Sequence, residues 1–424
     1  MKSHDITDLG PRSATNSPAS ARRWRREAVA LALAGTLQLL QLNRAHGENY
    51  AGYRFESYKE DGGRMQVETH AFSFQQGIRP WLELKGEAVY DCVSGATPTG
   101  EPPPSTLNYI PAWGSDPVPP QSTSLPLVHT HDIRCSGGLE PTFNLGAHHI
   151  TPGLSYSEEH DYISRGVSLN YSLDLNEKNT TLNLGWSHNS DIVYADGRRQ
   201  TINGHKDSDD VMLGVNQLLG PKTVLTLNFT YGNARGYLSD PYKVVAFTDT
   251  VLFGFPPANP GDPWGLMSGN AAEQRPRNRG RYIGYAALTQ AVTPLDASIE
   301  GSYRLFVDSW GMTAHTFTAT WFQKLGKHIT VAPTCRYYRQ SAADFYHVTM
   351  PGVAADAPPY FSADYRLSEL ESFAYGFSLN VKPADWLSIE FSYQRYEMFG
   401  LDSVTLAEAY PKANVVTIGV RLWF

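Results

Sequence analysis

The sequence predicts an all-β membrane protein, an antiparallel up-and-down transmembrane barrel of about sixteen strands. Three observations carry this prediction. The last ten residues alternate without a break and stop on an aromatic. No uninterrupted apolar run is long enough for a membrane-spanning helix, which needs about 20 residues. The connections between amphipathic segments fall alternately into short turns and long loops.

The last segment shows the logic. Val416, Ile418, Val420, Leu422 and Phe424 point to one face, while Val415, Thr417, Gly419, Arg421 and Trp423 point to the other. A strand repeats its side-chain direction every two residues, so one face is greasy and the other mixed. A final aromatic such as Phe424 is the usual ending of bacterial outer-membrane barrels, where it belongs to the signal read by the barrel-assembly machinery. A mean hydropathy of −0.35 fits such a barrel, because only alternate residues face lipid. Strands survive in lipid only when closed on themselves, since every N–H and C=O must be paired. The net charge of −7 offers no polyanion-binding surface, so nucleic acid is not an expected partner.

Near the start, Arg22, Arg23, Arg25 and Arg26 precede an apolar run from Ala28 to Leu40, followed by the small residues Ala45 and Gly47. That is the layout of a secretory signal peptide, expected over residues 1–47, with the barrel over 48–424.

From Tyr50 onward, amphipathic strands of roughly 10 to 14 residues follow one another. Examples are Val167, Leu169, Tyr171 and Leu173 against Ser168, Asn170, Ser172 and Asp174, and Leu387, Ile389, Phe391 and Tyr393 against Ser388, Glu390, Ser392 and Gln394. Short turns rich in Gly, Pro, Asn and Asp are expected at 76–80, 145–147, 176–179, 219–222, 293–296, 325–327 and 382–385. The other connections, at 61–63, 94–127, 158–161, 195–205, 236–279, 308–311, 342–364 and 399–409, hold all the long, Pro-rich and charged segments. Barrels of this kind have short periplasmic turns and long external loops, which puts both termini on the periplasmic side.

Three cysteines make no disulfide scaffold. Cys92 and Cys135 bracket one long insertion, where they either form a bridge at the loop base or remain separate thiols. Cys335 falls in phase with Ile329, Val331 and Tyr337 and is expected to face lipid as a free thiol.

Several strings then become familiar. Ser94-Gly95-Ala96-Thr97-Pro98 follows the third strand, Gly236-Tyr237-Leu238-Ser239-Asp240-Pro241-Tyr242-Lys243 follows the ninth, and Ser362-Ala363-Asp364-Tyr365-Arg366-Leu367-Ser368 leads into the fourteenth. With Asn179-Thr180-Thr181-Leu182 they make the chain resemble a bacterial family known as domain of unknown function 3570. The resemblance implies a barrel in the outer membrane of a Gram-negative cell. Through the company its members keep, it also implies a periplasmic lipoprotein or redox partner. It implies no reaction, and no cofactor is expected.

The candidate functional residues follow from position. Gly236, Tyr237, Asp240, Pro241 and Tyr242 form a loop motif that either folds over the pore or merely ends a strand at the aromatic girdle. Arg275, Arg277, Arg279 and Arg281 either converge on the mouth, attracting anionic solutes, or splay toward outer-leaflet phosphates, the expected arrangement. His129 and His131 share one strand face beside Asp132, but a metal site needs further ligands and none is expected. The predicted lumen carries both signs: Glu83, Lys85, Glu87 and Asp91 on one strand, and Glu300, Arg304, Arg336, Glu390 and Arg395 on later ones. Such ladders either line an open pore or pair with each other inside a plugged one. Phe322 and Tyr338 are the bulky exceptions to a set of small polar lumen residues. No nucleophile, base and orienter fall in register, so no enzyme activity is expected.

Two functions stay open at this point. One is a porin-like channel for small polar solutes, constricted by the loops at 94–127 and 236–279. The other is a non-catalytic sheath that holds a periplasmic partner in the outer-membrane lipid.

Overall fold

In the computed structural model, residues 49–103, 124–196, 201–251 and 267–424 are described. The expected signal peptide lies outside them. The strands are β1 (Tyr50–Glu60), β2 (Met65–Arg79), β3 (Leu82–Pro98), β4 (Leu127–Leu145), β5 (His148–Glu158), β6 (Tyr162–Leu175), β7 (Thr180–Asp196), β8 (Thr201–Gly220) and β9 (Thr223–Gly236). They continue with β10 (Val244–Val251), β11 (Met267–Ala272), β12 (Asn278–Val292), β13 (Ala297–Asp308), β14 (Thr313–Leu325), β15 (Ile329–Gln340), β16 (Thr349–Met350), β17 (Leu370–Ala384), β18 (Leu387–Gly400) and β19 (Lys412–Trp423).

Sixteen of these close into one antiparallel barrel, in which every strand pairs with its neighbour in sequence order and β19 closes back onto β1. The closing register, Tyr50↔Trp423 through Glu60↔Ala413, leaves no free edge. Closure satisfies the backbone, and alternation sorts the side chains. Leu213, Phe229, Phe317 and Tyr375 are exposed on the outside, whereas Asn170, Asn228, Thr318 and Ser392 take the inward register positions. A barrel of this strand number is wide enough to leave an aqueous bore.

The expected short turns all connect barrel strands at one end, the same end as Tyr50 and Trp423. Strand lengths depart from expectation. β4 has 19 residues and β8 has 20. The span expected as a loop at 195–205 is mostly strand, because β7 reaches Asp196 and β8 begins at Thr201. Its outer part pairs normally but alternates poorly: His188 lies opposite Asp209 and Asp191 opposite Lys206. There the ladder continues while hydrophobic patterning stops.

The remaining strands form a separate sheet in the order β11-β10-β16 at the long-loop end. With the segments around it, this sheet makes a cap. Backbone bonds tie it together, from Val244 N to Thr99 O (3.0 Å) and between Gln274 and Phe361 (2.9 and 2.8 Å). The two clusters of buried apolar residues lie at this end of the barrel. One cluster is Val245, Phe247, Met350, Phe361 and Ala363; another is Trp310, Met312, Ala343, Phe345 and Leu367.

Candidate functional site

Two glycines launch the cap. Gly95 and Gly236 adopt φ of +127° and +114°, and a Cβ on either would collide with a carbonyl oxygen, Arg64 O or His205 O respectively. The next residue in each case donates its N–H to that same oxygen, Ala96 at 2.7 Å and Tyr237 at 2.8 Å. At these points β3 parts from β2 and β9 from β8 by one device, open only to a residue without a side chain.

The loop motif then lies over the chamber beneath the cap, with Tyr237, Asp240 and Pro241 on its lining. Asp240 caps its own turn by accepting from Tyr242 N at 3.0 Å. Its other oxygen accepts from Arg366 Nη2 at 2.7 Å. Tyr242 donates its hydroxyl to Asp161 in the β5–β6 loop. Lys243, 2% exposed, donates its ammonium to the Pro98 carbonyl and sits 5.8 Å from the Tyr365 ring centroid. Three of the four family strings thus meet in the cap. The fourth, Asn179–Leu182, lies at the opposite end, in the turn into β7.

The hub is Asp364, 1% exposed, which accepts from Arg275 at 2.8 Å and from Arg366 at 2.6 Å. Arg275 also pairs with Glu273 at 2.7 Å. Ser362 donates its hydroxyl to Glu273 and accepts from Asp364 N at 3.1 Å. Burying charges is costly unless each is paired and hydrogen-bonded, and here they are. The two carboxylates nevertheless diverge. Burial pushes Glu273 above the ordinary carboxylate value, and Arg275 only partly offsets it. Burial acts on Asp364 too, but Arg366, Lys243 and Arg275 together hold it well below its usual range. Burial also raises the Tyr237 phenol to about 12, assisted by Glu273 and Asp240.

Beneath the cap lies a chamber of about 1020 Å³, whose ceiling includes Asp240, Pro241, Arg275 and Arg366 and whose walls include Tyr162, Arg304, Arg336 and Tyr338. The arginines after the loop converge on it. Arg275, Arg279 and Arg281 all line the chamber, and Arg277 alone stays outside and exposed. The splayed arrangement expected from the sequence is therefore corrected. Anchoring acids hold the side chains inward: Asp308 takes Arg279 at 2.6 Å and Asp210 takes Arg281 at 2.9 Å. Arg279 also stacks 4.1 Å from the Trp310 ring centroid.

The candidate lumen residues separate by strand. Glu83, Lys85 and Glu87 take inward positions on β3, with Lys85 paired to Glu83 at 3.3 Å. Glu300 and Arg304 take inward positions on β13, Arg336 on β15 and Glu390 on β18. Around the ring, seven strands separate β3 from β13 in either direction, so Glu87 and Arg304 stand on opposite walls. Glu300 accepts from Thr289 at 3.1 Å, nearer the short-turn end. Phe322 takes an inward position opposite Ser298, as expected. Arg395 does not belong with them. It shares the outward phase of Phe391 and Tyr393 and binds Asp61 at 2.5 Å and Glu397 at 3.1 Å at the rim.

Two further expectations are corrected or refined. Cys92 and Cys135 are free thiols. The register sets Cys92 opposite Ile133 and Cys135 opposite Tyr90, a diagonal offset whose Cβ separation exceeds the roughly 4 Å a bridge needs. Cys335 is free and exposed beside Phe317 and Tyr337 on the outer face. His129 and His131 share a face, but Asp132 points the other way, where it joins Glu159 and Asp161 within 4.8 Å. Arg134 and the Tyr242 hydroxyl already engage that acidic group.

Comparison with known proteins now places the chain. A family model matches residues 27–203 and 196–403. The chain belongs to the family described as protein of unknown function DUF3570. No curated protein matches it. The siderophore receptor PirA of Pseudomonas aeruginosa is 9% identical with a TM-score of 0.41, over 89% of this chain and 62% of that one. This chain therefore spans less than two thirds of the receptor's length. CdiB of Acinetobacter baumannii is 7% identical at TM-score 0.49, over 90% and 61%. A loop-deletion mutant of OmpT, an outer membrane protein of Vibrio cholerae, is 9% identical at TM-score 0.39, over 89% and 98%. Likeness this distant says nothing of cargo.

Proposed function

We propose that this DUF3570 member is a porin-like channel of the bacterial outer membrane, with its short turns toward the periplasm and its cap outward. It would pass small polar solutes through a bore constricted by that cap. One observation carries the reading: the sixteen-strand barrel holds a chamber of about 1020 Å³ under a cap with its own apolar core. A plugged barrel would fill its bore with bulky or apolar side chains, whereas away from the chamber small polar residues such as Asn170, Thr226, Asn228 and Ser392 take the inward positions, and they line water more readily than they pack a core.

The test is conductance in a planar bilayer. The intact protein should conduct weakly. Deleting residues 244–272 removes β10 and β11, with Val245 and Phe247 of the cap core, and should raise the current several-fold. An assembled, cap-deleted barrel that carries no current would leave the sheath as the better reading. Recovery of the protein from a soluble fraction, rather than from outer membranes, would sink the localisation.

A further inference from the structure

We infer that the chamber is a binding site for small oxyanions, solutes carrying carboxylate or phosphate groups, and that Arg304 and Arg336 are the residues that take them. This deepens the channel reading and rests on it for the route by which the solute arrives.

The inference comes from accounting for every charge on the chamber wall. The carboxylates that line it are already engaged: Asp191 by Lys206 at 3.0 Å, Asp210 by Arg281, Asp240 by Arg366, and Asp364 by Arg275 and Arg366. Arg279, which also lines it, is held by Asp308 from behind. Arg304 and Arg336 remain, and neither has a carboxylate partner among the described residues. The whole chain is acidic, at −7, yet this one compartment carries surplus positive charge.

Their placement suits one ligand. Arg304 pairs across to Thr316 on β14, and Arg336 pairs to Thr318 on the other side of the same strand. Strands about 4.8 Å apart put the two backbones roughly 10 Å apart, so two long side chains can close on one anion between them. An arginine cannot shed its proton to escape the repulsion of a like neighbour. A planar guanidinium offers paired donors matched to carboxylate and phosphate oxygens. Two unpaired guanidinia side by side therefore favour a solute with at least two negative charges. The opposite wall, on β3, presents Glu87, which discourages an anion from settling there.

Isothermal titration of the full-length, detergent-solubilised protein with citrate and with inorganic phosphate tests this directly. Citrate should bind, and phosphate more weakly. The double substitution Arg304→Gln with Arg336→Gln should weaken citrate binding by about ten-fold or more, the loss expected for charge-assisted hydrogen bonds. Arg395→Gln, at the outer rim, removes one charge without touching the chamber and should leave affinity unchanged. Assembly of each variant is checked by heat-modifiable mobility. Conductance separates the two readings. Citrate binding lost in the double variant supports the site even if no form carries current, in which case the channel alone fails. Current with no citrate binding, or binding that survives the double substitution, overturns the site and leaves the channel standing.

Discussion

Phe229 and Phe247 are the same residue type in opposite surroundings. Phe229, on β9, is 49% exposed on the outer wall, while Phe247, on β10, is fully buried in the cap. The wall needs no core of its own. Its backbone is satisfied by closure, and its apolar side chains are exposed on the outer face rather than packed against each other. The cap faces water and must hold together as a small soluble fold does, with an apolar cluster and satisfied polar groups. Substitutions in the two regions should therefore separate cleanly, and the following outcomes measure how cleanly.

The largest effect should come from the hub. Asp364→Ala leaves Arg275 and Arg366 facing each other without their shared carboxylate. Removing one partner of a buried ionic network costs about 3–5 kcal/mol. Limited proteolysis should cut the cap while the barrel keeps its heat-modifiable mobility. If the barrel unfolds too, cap and wall are one cooperative unit and the comparison breaks.

Next comes the phenylalanine pair itself. Phe247→Ala should destabilise the cap by roughly 3 kcal/mol through lost burial and a residual cavity. Phe229→Ala should leave cap protection and conductance unchanged. Equal loss of cap protection in both variants would mean that the wall transmits strain into the cap.

Gly236→Ala should cost roughly 1–3 kcal/mol for forcing a side chain into a left-handed conformation alone. Here the added methyl also meets the His205 carbonyl. The change should shift the cap opening seen by protease, with strand content by circular dichroism unaltered.

What the sequence disclosed divides along the same line. The wall was readable strand by strand because each crossing imposes a period of two against lipid, as in Leu225, Leu227, Phe229 and Tyr231. Where the strands rise beyond the lipid, that signal ends. His188 and Asp209 pair on the outward face of β7 and β8, so the ladder outruns the pattern and a loop is expected in its place. The cap was legible only as strings. Gly236–Lys243 and Ser362–Ser368 were visible as motifs, yet nothing local says that Arg366 of one reaches Asp240 of the other. That contact spans 126 residues. The inward turn of Arg279 and Arg281 was equally hidden, because it depends on Asp308 and Asp210 from strands 29 and 71 residues away.

The pH response probes the same network by titration. Glu273 is raised by burial, so its contribution to cap stability is fully present below 4.5 and is lost as pH rises through its higher folded value. Asp364 is lowered, so its contribution is present above 3.8 and disappears only as pH falls through its depressed folded value. Cap protection should therefore be higher just above pH 4.5 than at about pH 8, and collapse only in stronger acid. Glu273→Gln should flatten the decline toward alkaline pH. A decline that persists unchanged in that variant would mean another group sets it.

The smallest expected effect is no effect, and it tests the wall. Cys92 and Cys135 sit on adjacent strands and on the same face, which makes a bridge look natural. The register denies it by two residues, since Cys92 lies opposite Ile133 and Cys135 opposite Tyr90. In an antiparallel pair, only directly opposed residues bring their Cβ atoms within about 5 Å, and a bridge needs closer to 4 Å. A shift of one residue would turn every side chain of β4 to the wrong face, and a shift of two would move the whole β3–β4 ladder against the bore. The thiols should therefore stay separate even in an oxidising compartment. The double substitution Cys92→Ser with Cys135→Ser should change stability by less than about 0.5 kcal/mol. Labelling of the detergent-solubilised protein without reductant should give three adducts by mass, at Cys92, Cys135 and Cys335. A single adduct at Cys335, rising to three after reduction, would show that the ladder between β3 and β4 is set differently, and the inward positions of Glu83, Lys85 and Glu87 would have to be read again from the new register.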